Sequence, residues 1–182
     1  VIIDWQKVAI KPVPVEGKNI TRYINALDEQ GKVAAFCFQI DQPTPYPTVN
    51  PEAGKVPDYY NIPGLFENPV FIEHTAELEV ELPFTNFEHR KKMNGFFLDG
   101  MLTKVLLTGV YSFRGTGEEG KILATMAAGD MIGFEKQDYT CFYYCENDAP
   151  GQWFANEVHC DYFIIVFDQQ KRIWVICHSA TD

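Results

Sequence analysis

Apolar residues fall into three patterns along this chain, and each predicts a different element. The run Tyr162-Phe-Ile-Ile-Val-Phe167 is apolar at every position, Asp168-Gln-Gln-Lys171 is polar, and Arg172-Ile-Trp-Val-Ile-Cys177 is apolar again. Two β-branched and aromatic runs joined by a short polar loop predict a hairpin. A strand apolar on both faces belongs inside a sheet, so this hairpin should be central. Lys32 to Ile40 (KVAAFCFQI) has the same two-faced character. Val8, Ile10, Val13 and Val15 suggest an extended opening, but Pro12 and Pro14 remove ladder donors and send it to an edge.

A helical period appears at Ile20, Tyr23, Ile24 and Leu27, which predicts a helix from Ile20 to Gln30 with Asn19 as its cap and Gly31 as its stop. Met93, Phe97, Met101 and Val105 repeat every fourth residue beside Leu98, Leu102 and Leu106, predicting a second helix from Phe87 to about Thr108, with Glu88 to Leu102 as its main stretch and Thr85 or Asn86 as its cap. Gly95 and Gly100 each weaken it by roughly 1 kcal/mol. Strict alternation marks Phe71 to Leu82: Ile72, His74, Ala76, Leu78, Val80 and Leu82 on one side, Glu73, Thr75, Glu77, Glu79 and Glu81 on the other. Period two predicts a long strand with one buried face. Further strands are expected at Val110 to Arg114, Lys121 to Ala127, Met131 to Lys136, Tyr139 to Glu146 and Trp153 to Val158, with turns at Gly115 to Gly120 and Gly129-Asp130.

From Asp41 to Pro69 the chain holds seven prolines in 29 residues. Each fixes φ and removes an N–H, so a surface loop anchored by Tyr46, Tyr59, Tyr60 and Phe66 is expected, without helix or central strand. The expected fold is one α+β domain over residues 1–182: a twisted, mostly antiparallel sheet of eight or more strands covered by about two helices. An all-β sandwich or barrel is the alternative. A chain of 182 residues is long enough to bury about 70% of its unfolded surface in one core.

Charge changes the picture more than composition does. The net charge is −10, and residues 41–83 hold one basic residue (Lys55) against eight acidic ones. Such a balance disfavours nucleic acid and anionic membrane, which need Lys and Arg to release counterions. A basic protein partner fits instead. No apolar run is long enough to span a membrane as a helix, and five cysteines, an odd number, fit reduced thiols and a cytoplasmic setting. The chain opens with Val, so a removed leader and a secreted protein stay open.

The chemistry-bearing residues are sparse. Cys141 and Cys145 on one strand would sit roughly 13 Å apart, too far to share an ion, so no metal site and no cofactor are expected. His159-Cys160 and Cys177-His178 are neighbours that point to opposite faces of a strand, which leaves cross-strand pairs such as Cys37 with His74 for nucleophilic chemistry. Trp5, Trp153 and Trp174 offer stacking surfaces, and the alternative functions are a hydrolase with a pocket under the 41–69 loop or an interaction domain of a longer chain. The leading expectation is a binding module, inhibitor or immunity-like. It would use Glu73, Glu77, Glu79 and Glu81 with Asp58, Tyr59 and Tyr60 to hold a basic partner.

Overall fold

The computed structural model describes residues 3–41, 61–80, 91–108, 113–134, 141–146, 151–154 and 161–179. Six strands form one sheet: β1 (Ile10–Val13), β2 (Lys32–Ile40), β3 (Lys91–Asn94), β4 (Cys141–Glu146), β5 (Asp161–Phe167) and β6 (Arg172–Ser179). Their spatial order is β1-β2-β6-β5-β4-β3, and every neighbouring pair is antiparallel. The closing hairpin lies at the centre as its two-faced apolar pattern requires, with all of β5 buried. Pro12 sits in β1, at the edge, where a missing N–H costs nothing.

Five helices accompany the sheet: α1 (Lys18–Asp28), α2 (Ile62–Leu65), α3 (Pro69–His74), α4 (Leu98–Leu107) and α5 (Gly117–Ile132). Side-chain alternation in the strands divides the interior into two cores. Phe163, Ile165, Phe167, Ile173, Val175 and Cys177 meet Trp5, Leu65, Phe66, Phe71 and Leu78 on one face of the sheet. Tyr162, Ile164, Val166, Trp174 and Ile176 meet α1, α4 and α5 on the other. At about 2 kcal/mol for each large apolar side chain removed from water, these two layers supply the main stabilisation.

The architecture is α+β and antiparallel, but several expected elements differ. Among the described residues the sheet has six strands, not eight or more, and five helices rather than two. Lys121 to Ala127 and the start of Met131 to Lys136 belong to α5. There Thr116 and Glu119 form a capping box, and Gly120, Ala124, Ala127, Ala128 and Met131 repeat at helical spacing on the buried side of the helix, which packs against α1 and α4. The second expected helix begins only at Leu98, because Lys91–Asn94 pairs with β4 and the Asn94 side chain starts a 3-10 turn by accepting from the Phe96 N–H. Its inward residues Leu98, Met101, Leu102, Val105 and Leu106 belong to the expected repeat, whereas Phe97 of that repeat is exposed and Met93 lies in β3.

Phe113, Arg114, Trp153 and Phe154 lie in no strand. The proline-rich stretch is partly helical, with Pro63 and Pro69 in first turns, where no N–H is needed. Its Phe66 is buried as an anchor. Tyr46, Thr85 and Asn86, the strand positions 110–112, 135–140 and 155–158, and the rest of the loop over 42–60 lie outside the described residues.

Candidate functional site

Residues 71–80, the described part of the expected strand Phe71 to Leu82, form no strand. Asn68 precedes Pro69 as a cap followed by a proline at the first helical position, and its side-chain oxygen accepts the N–H groups of Val70 and Phe71. The Asn68 amide donates to the carbonyls of Trp5 and Val8 at 2.7 and 3.0 Å, so this buried side chain is used on both ends. Phe71, Thr75 and Leu78 point inward at i, i+4 and i+7, while Ile72, His74 and Ala76 face solvent. Thr75 Oγ1 donates to the Phe71 carbonyl and ends α3, and a 3-10 turn follows over Ala76–Leu78.

Glu79 then takes a left-handed conformation, φ +49°, and its carbonyl accepts the Gln152 N–H at 3.3 Å. Gly151, itself at φ +106°, lies so close that a Cβ would overlap the Leu78 carbonyl, which makes glycine obligatory at that crossing.

This path places Glu73, Glu77 and Glu79 on the surface, all three exposed. None of them forms an ion pair among the described residues, whose bridges are Lys7–Asp4, Lys11–Asp41, Arg114–Glu29, Lys121–Asp99 and Arg172–Asp168. The row is therefore a helical and turn surface rather than a pleat, with Ile72, 40% exposed, beside the carboxylates. Glu81, Asp58, Tyr59 and Tyr60 lie outside the described residues.

A second polar centre, unmarked by the sequence pattern, lies at the turn of the β5–β6 hairpin. Asp168 is buried, and its carboxylate accepts the Arg172 backbone N–H at 2.8 Å, Arg172 Nε at 2.6 Å and the Trp174 indole N–H at 3.1 Å. The Arg172 guanidinium also donates to the Met131 carbonyl and lies 4.7 Å from the Trp174 ring centroid. Asp168, Gln169, Gln170 and Arg172 form one wall of an open cleft of about 660 Å³ whose other wall is Gly129 to Phe134. The signal for this centre is the i, i+4 pair Asp168 and Arg172 around a four-residue loop, read from sequence only as a polar turn.

The thiol and histidine pairings do not assemble. Cys37 faces Trp174 and the helices, whereas the His74 ring lies 6.4 Å from that of Phe38, on the opposite face of the sheet. Burial pushes the Cys37 thiol up to about 12 and that of Cys177 well above its ordinary value, so both stay protonated and poorly nucleophilic at neutral pH. Trp5 and Trp174 are buried in the two cores, and the Trp174 ring is already covered by Arg172. His159, Cys160 and their strand lie outside the described residues. Among the described residues no three His, Cys, Asp or Glu side chains gather in metal-binding range, and no helix is long and apolar enough to cross a membrane. Comparison with known proteins finds no family model, no curated protein and no solved structure that matches the chain.

Proposed function

We propose that this protein is a binding module that recognises a basic protein partner, as an inhibitor or immunity protein neutralises a cationic enzyme. One observation carries the reading: Glu73, Glu77 and Glu79 are exposed together, and no cation among the described residues answers them. Carboxylates left unmatched within a fold attract a cationic surface at long range and set its orientation on contact. Exposed ion pairs are individually worth about 0.5 kcal/mol, so the acids steer while the apolar Ile72 beside them supplies contact area.

The proposal extends to Glu81, Asp58, Tyr59 and Tyr60 as members of the same acidic quarter of the chain. The buried thiols Cys37 and Cys177 support a reducing, cytoplasmic setting for this encounter. The experiment compares capture of a lysine-rich peptide by the wild-type protein, by Glu73→Gln/Glu77→Gln/Glu79→Gln, and by a variant neutralised elsewhere. Loss confined to the first variant supports the reading, and equal loss in both removes it.

A further inference from the structure

On the helical side of the sheet a groove of about 540 Å³ runs between α1 and α5. Its floor includes Ile122 and Met126, one turn apart on α5 and 56% and 41% exposed. Arg22 of α1 forms its wall, and Lys18 precedes Arg22 by four residues on the same face of α1. Both cations are exposed, and neither has an acidic partner among the described residues. The other charges of the groove are already committed. Arg114 lies 3.8 Å from Glu29, and Glu119 closes the capping box with Thr116. The groove's lining carries two Arg and two Glu, and Arg22 with neighbouring Lys18, beside an exposed apolar strip, are left to meet the carboxylates of the Glu73 to Glu79 segment.

We propose that this groove is a docking site for a second copy of the chain, which enters it with its own Ile72 to Glu79 segment. The two patches match in kind. One offers Lys18 and Arg22 beside Ile122 and Met126, the other Glu73, Glu77 and Glu79 beside Ile72. They belong to opposite sides of the sheet, since α3 packs in the core that contains Phe71 and α1 and α5 in the core that contains Tyr23 and Ala124. A contact between two different patches on opposite faces is heterologous, so copies add head to tail and the assembly does not close at a dimer. Net repulsion between copies opposes this at long range, and salt at physiological strength screens it within about 8 Å. The inference rests on the acidic segment being a binding surface, and adds to its basic partner a second occupant, the Lys18 and Arg22 groove of another copy.

Sedimentation velocity over a wide concentration range tests it. The wild-type protein should show a mean mass that rises with concentration without a plateau at the dimer. Lys18→Ala/Arg22→Ala and Glu73→Gln/Glu77→Gln/Glu79→Gln should each lose that rise. An equimolar mixture of the two variants retains one intact groove and one intact acidic segment, and should stop at a one-to-one dimer. A wild-type protein that stays monomeric throughout, or an association that survives either variant, overturns the proposal. If copies do not associate while the glutamine variant still selectively loses the lysine-rich peptide, only this inference falls. If that selective loss is absent as well, the acidic surface reading falls with it.

Discussion

The carboxylate of Asp130 accepts the backbone N–H of Asn19 at 2.7 Å, although 111 residues separate the two. The same Oδ2 takes the Ile20 N–H at 3.0 Å, and Oδ1 takes the Asn19 amide at 3.1 Å. A side chain on α5 therefore does for α1 what a local cap does elsewhere, while Gly17 precedes the helix at φ +141° with no room for a Cβ against Asp130. This contact fixes in part how α1 and α5 sit against each other on the helical side of the sheet. The Asn19 side chain, which its position nominates as the cap, instead reaches outward to the acid that replaces it.

Replacing Asp130 by Ala should cost about 1–2 kcal/mol, the value of a lost cap plus a negative charge at a helix N-terminus. Urea unfolding followed by far-UV circular dichroism measures this directly. An unchanged midpoint would show that water caps α1 equally well.

A larger loss is expected at the hairpin turn. Asp168→Ala leaves the Arg172 guanidinium and the Trp174 indole N–H without their shared acceptor in a region where Asp168 itself is buried. Removing one member of a buried pair costs about 3 kcal/mol, at the lower end of its range here because the Arg172 side chain keeps 24% exposure to water. Tryptophan-monitored unfolding should show the lower midpoint. Asp168→Asn should recover part of it by keeping an acceptor for the indole.

Stability should fall at alkaline pH. Tyr23 donates its buried hydroxyl to the Leu102 carbonyl, and burial raises its ionisation well above the ordinary value of 10.0. Cys37 is raised from 9.0 to about 12 by the same cause. Between the unfolded and folded values the native state holds more protons than the unfolded one, so the stability these groups contribute is complete below about pH 9 and is lost as pH climbs toward 12. Urea midpoints measured across this window should decline, and Tyr23→Phe should decline less steeply while starting about 1 kcal/mol lower at neutral pH for want of the hydrogen bond. A flat wild-type profile would contradict the buried, protonated state of these groups.

How much of this was legible in the sequence varied with the chemistry of each buried face. The β5–β6 hairpin and β2 announce themselves because residues such as Phe163 and Ile164 are large and apolar on both sides. Helix α5 does not, because its inward stripe of Gly120, Ala124, Ala127 and Ala128 is small and resembles turn composition; the Thr116–Glu119 capping box was the available signal. Phe71 to Leu82 satisfies two periods at once, with Leu78 common to both. Asn68-Pro69 decides for the helix, since that pair begins a helix and blocks a strand. The exposure of Glu73, Glu77 and Glu79 was expected from their polarity and survives the change of element. The Asp130–Asn19 contact carries no local signature, because it depends on how two distant helices pack.

The most direct measurement of the central claim is a titration of a labelled lysine-rich peptide by fluorescence anisotropy at low salt. It would compare the wild-type protein, Glu73→Gln/Glu77→Gln/Glu79→Gln, and the equally neutralised control Glu16→Gln/Asp28→Asn/Glu118→Gln, whose carboxylates are also exposed. At about 0.5 kcal/mol for each exposed charge contact, the first variant should bind about tenfold more weakly and the control should match the wild type within about twofold. Equal weakening in both variants would mean that net charge alone draws the peptide, and that the Glu73 to Glu79 surface recognises nothing in particular.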